Sequence, residues 1–252
     1  MTQEQTIPVV DLQQYTNGDE QARQAFVKKF GDALKEFGFA AIENHGIDKD
    51  LLDRTYGDFK SFFGRDVEYK QRFEDPSTGR QRGYTSYGVE HAKNNKKADL
   101  KEFFHLGREI TPGHELYGRM VPNIWPEGMD ALKEDSLTLF NELETCAMTL
   151  LEVVSVYLDQ DPDFLPSMAV NGSSIVRVIH YPAVDGSNEP GAMRAAQHED
   201  INLMTILPES TESGLELLTR DGTWLPVHAI PGQIIVDSGD MMSRITDRKS
   251  VV

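Results

Sequence analysis

This chain of 252 residues is poor in cysteine, with one, and poor in basic side chains, with 25 Lys and Arg against 41 Asp and Glu. A single thiol, Cys146, excludes an internal disulfide framework and suits a reducing cytoplasm. It lies in an apolar stretch with helical spacing, where a buried structural thiol is expected. No apolar run approaches the roughly 18 residues that a bilayer span needs, and no basic-plus-apolar signal opens the chain. The shortage of Lys and Arg leaves a formal charge of −16 and a pI near 4.8. Such a surface repels nucleic-acid backbones and anionic membranes at long range, which excludes both as partners. The 39% hydrophobic content supports one large domain or two small ones.

The chemistry concentrates between Met193 and Arg244, around Gln197-His198-Glu199-Asp200. On an extended strand, side chains at i and i+2 share a face, so His198 and Asp200 would offer one imidazole and one carboxylate to a single ion. Two such ligands make up most of a 2-His-1-carboxylate facial triad, which leaves open positions on Fe(II). Taken alone, the triplet reads equally as a solvated strand end. After it come short apolar runs cut by Asp221-Gly222 and Pro231-Gly232, the pattern of an antiparallel β-sandwich or barrel.

His198-x-Asp200, Gly214-Leu215-x-Leu217, Asp221-Gly222-x-Trp224, Ile230-Pro231-Gly232 and Gly239-Asp240 occur together and in order. In this the chain resembles the iron- and 2-oxoglutarate-dependent oxygenases of the isopenicillin N synthase type. The resemblance implies a mainly β fold with flanking helices, a double-stranded β-helix or jelly roll that is incomplete at the C-terminus. It implies Fe(II), 2-oxoglutarate as cosubstrate, O2 and a small-molecule substrate, with His198 and Asp200 as metal ligands. Tyr181, in Tyr181-Pro182, matches the tyrosine that donates a hydrogen bond to the cosubstrate carboxylate or the substrate. It also divides the chain into an N-terminal α/β region over 1–125, a long helix and connection over 126–170, a jelly-roll core over 171–246 and a non-native tail over 247–252. The family's third ligand, a histidine, and its Arg-x-Ser are expected beyond Val252, since no histidine follows His228. The last six residues, 247–252, match a sequencing adaptor translated in frame, so the chain reads as truncated and is expected to be inactive as it stands. A same-fold oxidase that uses no 2-oxo acid, and a non-catalytic jelly-roll module, remain the alternatives.

Earlier in the chain, Ile7 to Leu12 reads as a short strand, and Ala22, Phe26, Phe30 and Leu34 predict a helix from Asp19 to Phe37 stopped by Gly38. Residues 38–47 read as a strand and tight turn, with His45 in turn chemistry and not a ligand. Leu51, Leu52, Tyr56, Phe59 and Phe63 predict a second helix from Asp48. Asn94 to Lys97 reads as an exposed loop. Tyr84, Tyr87 and Phe104 are candidates for a substrate pocket or, equally, core aromatics. Pro126 is expected to start the longest helix, Met129 to Leu158, which would buttress the β-core. In the strand from Ser174 to Pro182, Arg177 and Tyr181 share one face and His180 takes the other, so His180 is not expected to bind metal; His228 is assigned no chemistry.

Overall fold

The computed structural model describes residues 6–91, 97–183, 192–209, 214–219, 222–227 and 230–246. In chain order its elements are β1 (Val9–Asp11), α1 (Gln13–Thr16), α2 (Glu20–Phe37), β2 (Phe39–Glu43), α3 (Lys49–Phe63), α4 (Val67–Gln71), β3 (Gly83–Thr85), β4 (Glu102–Gly107), α5 (Asp130–Tyr157), α6 (Phe164–Ala169), β5 (Ile175–His180), β6 (Met204–Leu207), β7 (Glu216–Leu218), β8 (Trp224–Pro226), β9 (Gln233–Ser238) and α7 (Asp240–Ile245). Contacts group the chain into two compact units. One comprises Met1–Ile47, Leu143–Val170 and Glu199–Val252, the other Asp48–Glu142 and Asn171–His198.

In the first unit, α2 begins where the Asp19 carboxylate accepts the N–H of Ala22 at 2.9 Å. It ends at Gly38, whose φ of 75° is the left-handed cap that glycine adopts without strain. Phe26, Phe30 and Leu34 are buried, as their spacing predicts. A Cβ on Gly31 would lie 2.1 Å from the Tyr157 ring, so glycine is what lets α2 and the end of α5 approach this closely. The Tyr157 hydroxyl then donates to Asp32 at 2.9 Å. Four strands follow the order β1-β2-β9-β6, with β1 parallel to β2 and the other neighbours antiparallel. All six residues of β9 are buried, which is why Ile234-Ile235-Val236 is a continuous apolar run and not an alternation. β7 and β8 pair antiparallel, and Leu217 and Leu225 pack with Ala41 and Ile235.

In the second unit, Asp48 caps α3 by accepting the N–H of Asp50 at 2.8 Å. Leu51, Leu52, Phe59 and Phe63 are buried as expected, and Phe62, which the helical stripe omitted, is buried completely. Phe59, Phe62, Phe63, Phe73, Tyr84 and Phe104 form an aromatic core, joined by Leu132 and Phe140 of α5. Tyr84 and Phe104 are therefore core residues, whereas Tyr87 is exposed. The three-stranded sheet β3-β4-β5 is antiparallel. Along β5 exposure alternates residue by residue, with Val176 and Val178 packed on the aromatic core.

Two expectations change. Pro126 lies four residues before α5, in a turn closed by the Met129 N–H on its carbonyl at 3.4 Å, so it precedes the helix and does not start it. Residues 197–201 carry no strand ladder, and β6 begins only at Met204. The segment is held instead by single hydrogen bonds from elsewhere in the chain. His228, Asn94 to Lys96 and the tail over 247–252 lie outside the described residues.

Candidate functional site

His198 and Asp200 stand two residues apart, and the division between the two units falls between them, after His198. Each is positioned within its own unit. The His198 Nδ1 lies 2.8 Å from the carbonyl oxygen of Ala196. An acceptor there fixes Nδ1 as the protonated nitrogen and leaves Nε2 as the one with a lone pair for a metal. Ala196 is in turn anchored, its N–H donating to the Asp99 carboxylate at 3.2 Å.

On the other side of the division, the Thr205 hydroxyl donates to Asp200 Oδ2 at 2.6 Å and accepts from Asn202 Nδ2 at 2.7 Å. The backbone is held as firmly. Asp240 N–H donates to the Asp200 carbonyl at 2.8 Å, and Met241 N–H to the Asn202 carbonyl at 3.1 Å. A Cβ on Gly239 would lie 2.3 Å from Asn202 Oδ1 and 2.8 Å from the Asp200 carbonyl, so only glycine admits this approach. The Gly239-Asp240 pair is thus a clamp on the segment that carries Asp200. Asp237 of β9, buried and close to Asp200, has its pKa pushed up to about 8, first by burial and then by the Asp200 charge. Burial beside Asp200 thus favours the protonated form of Asp237.

An imidazole with its tautomer set by a backbone acceptor, and a carboxylate oriented by a hydroxyl, are donors suited to Fe(II). Among the described residues no group of three or more His, Cys, Asp and Glu is placed to hold a metal ion. Thr205→Val keeps the shape of the side chain and removes the donor to Asp200. Fe(II) affinity is expected to fall about 10- to 100-fold, as for other groups that orient metal ligands; an unchanged affinity in a competition titration would show that the hydroxyl does not orient the ligand.

Tyr181 follows β5 directly and is half-buried. Burial raises its pKa, opposed by the charges of Lys101 and Arg177, so its hydroxyl stays protonated and able to donate. His180, on the opposite face, stacks on Phe63 and bonds through Nδ1 to Glu102 at 2.8 Å. His45 Nδ1 accepts the N–H of Ile47 at 3.1 Å, a local turn contact. Cys146 is buried, which pushes its thiol up to about 12 and leaves it inert. No helix among the described residues is long and apolar enough to cross a membrane. Sequence reasoning missed Thr205, Asn202 and Asp237; a hydroxyl five residues after Asp200 gave no signal of its own.

Residues 7–128 match the family described as non-haem dioxygenase in morphine synthesis, N-terminal, and residues 172–252 match the 2OG-Fe(II) oxygenase superfamily. Proline hydroxylase buaE of Petromyces alliaceus is 30% identical over 253 residues, which span 94% of this chain and 76% of that protein. The crystal structure of a 2OG-Fe(II) oxygenase family protein from Caulobacter crescentus superposes with a TM-score of 0.84 at 34% identity, covering 96% of this chain and 77% of that one. For a full-length Neurospora crassa protein solved in complex with alpha-KG and thymine, the TM-score is 0.85 at 24% identity, covering 100% of this chain and 79% of that one. The jelly-roll fold expected from the sequence is the fold of these neighbours. With both halves of the chain matched, and with relatives at 30% and 34% identity over about three quarters of their length, the chain belongs to the 2OG-Fe(II) oxygenase superfamily and is an oxygenase that uses Fe(II), 2-oxoglutarate and O2.

Proposed function

We propose that His198 and Asp200 are protein ligands of the iron, that Tyr181 binds the 2-oxoglutarate carboxylate, and that the substrate is a small organic molecule. The observation that carries the ligand assignment is the pair of orienting bonds, Ala196 carbonyl to His198 and Thr205 hydroxyl to Asp200. When bound, Fe(II) with 2-oxoglutarate and O2 supplies the oxidising power: the 2-oxo acid loses CO2 to become succinate, one oxygen atom enters succinate and the other is left for the substrate. The chain contributes orientation. His198 keeps its proton on Nδ1, Asp200 keeps one oxygen on Thr205, and the clamp at Gly239 holds the Asp200 segment still, so each donor is oriented before the metal binds. The proline hydroxylase at 30% identity supports a small-molecule substrate.

Tyr181→Phe tests the cosubstrate assignment. It keeps the ring and deletes one donor to a charged acceptor, a bond worth about 1.5–3 kcal/mol. In the holoenzyme without prime substrate, the 2-oxoglutarate KM for succinate release is expected to rise about 10- to 150-fold. An unchanged KM would mean that the hydroxyl faces another molecule or only packs.

A further inference from the structure

The second unit contains a cavity of about 550 Å³, within the range of roughly 300–1,000 Å³ that holds small ligands. Arg80, Arg82, Thr85, His105, Arg119 and Arg177 are among its polar lining residues, and Glu90 is the acid among them. In a protein of charge −16 this concentration of guanidinium groups stands out, and their pairings decide what it means. Arg80 is neutralised by Glu74 at 2.6 Å. Arg177 meets Glu90 at 3.3 Å, lies over the Phe103 ring and donates through Nε to His105 Nε2 at 2.6 Å. That His105 ring is itself fixed, with Nδ1 on the Arg80 carbonyl at 3.1 Å. Arg82 and Arg119 have no carboxylate partner among the described residues.

Arg82 is the informative one. It is 4% exposed, its Nη donates to the Gln81 carbonyl at 2.7 Å, and among the described residues its Nε has no partner. The Thr85 hydroxyl, 1% exposed on the same cavity, also has none. Burial lowers the Arg82 pKa with no neighbouring carboxylate to offset it. Its place is built, not accidental: a Cβ on Gly107 would lie 2.4 Å from its Nη2, so the glycine makes room for the guanidinium. A buried guanidinium N–H and a buried hydroxyl without acceptors are costly unless something supplies them. Phe103, Val89, Met120, Val121 and Ile175 complete the lining, so the cavity offers two unneutralised cations at an apolar wall.

We propose that this cavity binds the carboxylate of a small organic acid with an apolar body, Arg82 and Thr85 holding the oxygens and Arg119 supplying the second charge. Calorimetric titration of the metal-free protein with phenylacetate and 4-phenylbutanoate, and with the amide of each, separates charge from shape. The acids are expected to bind and each amide to bind at least about 10-fold more weakly, the loss of a charge-assisted pair. Arg82→Gln weakens the acids by about 10- to 150-fold and leaves the amides where they were. Arg119→Gln, at an exposed position that tolerates substitution, weakens the acids several-fold and keeps the proposal testable if Arg82→Gln fails to fold. Equal affinity for acids and amides, no binding of either acid, or acid affinity unchanged in Arg119→Gln would overturn it. So would 2-oxoglutarate displacing the acids at lower concentration than they bind, because the cavity would then belong to the cosubstrate.

Discussion

Alanine at His198 or at Asp200 is expected to abolish succinate release and weaken Fe(II) binding, while alanine at His45 is expected to leave both intact. The contrast follows from what each imidazole and carboxylate is bonded to. His198 turns Nδ1 to the Ala196 carbonyl, which leaves Nε2 to a metal; His45 spends Nδ1 on the Ile47 N–H two residues away and serves its own turn. Asp200→Glu is the sharper test. The extra methylene moves the carboxylate by more than an ångström while the clamp from Asp240 N–H, at 2.8 Å, holds the backbone in place. The longer side chain cannot be absorbed by a shift of the segment, and a displacement of this size costs on the order of 100-fold in turnover. Asp200→Asn keeps the length and the Thr205 contact but removes the charge, so it separates geometry from electrostatics. Fe(II) affinity from competition with a coloured chelator, and succinate release, are read on every variant. Turnover retained in Asp200→Ala would sink the assignment, and Fe(II) affinity lost in His45→Ala would move it.

The elements that sequence reasoning located are those whose signal is local. Asp19 and Gly38 bracket α2 because a cap and a left-handed terminus are properties of a few neighbouring residues. β9 is legible because a fully buried strand must be apolar throughout. His198 and Asp200 are marked by their i, i+2 spacing only together with the ordered motifs that follow them. What holds Asp200, however, arrives from residues that a short window never sees: Gly239 and Asp240 far along the chain. The expected strand over Gln197 to Asp200 failed for that reason, since an extended look does not guarantee a ladder partner. Glu102 shows the same limit from the other side. Nothing local to the sequence says that this acid lies buried, because the groups that make burial tolerable are Lys70, Tyr84 and His180. Arg82 escaped notice likewise, its meaning depending on Gly107 across the sheet.

Glu102→Gln is expected to destabilise the second unit by about 3–5 kcal/mol, more than any single hydrogen bond would suggest. Lys70 and Glu102 are 6% and 5% exposed in their side chains and meet at 2.7 Å. The Lys70 ammonium has one further acceptor, the Phe63 carbonyl at 3.1 Å, so removing the carboxylate charge strands a cation among aromatic rings. Glu102 also accepts from the Tyr84 hydroxyl and bonds His180 Nδ1 at 2.8 Å. Burial pushes the Glu102 pKa up, yet the hydrogen bonds from Lys70, Tyr84 and His180 outweigh it and hold the carboxyl below its usual value. A depressed folded pKa contributes stability that is complete above the unfolded value, near about 4.3, and is lost as pH falls through the folded one. Removing both charges tells a different story. In Lys70→Met/Glu102→Leu no buried ion is left unpaired; His180, 41% exposed in its side chain, can turn to water, and the main remaining losses are the Tyr84 hydroxyl without its acceptor and the Phe63 carbonyl without its donor, about 1–3 kcal/mol each. Adding Tyr84→Phe removes the first of these. Urea denaturation of Glu102→Gln, the double variant and the triple variant at pH 7 should therefore rank them from least to most stable. The curves should also differ in acid: the wild type loses stability below about pH 4 and the triple variant loses less. A Glu102→Gln protein within about 1 kcal/mol of wild type would show that water reaches Lys70 in solution and that the buried pair does not hold this core together.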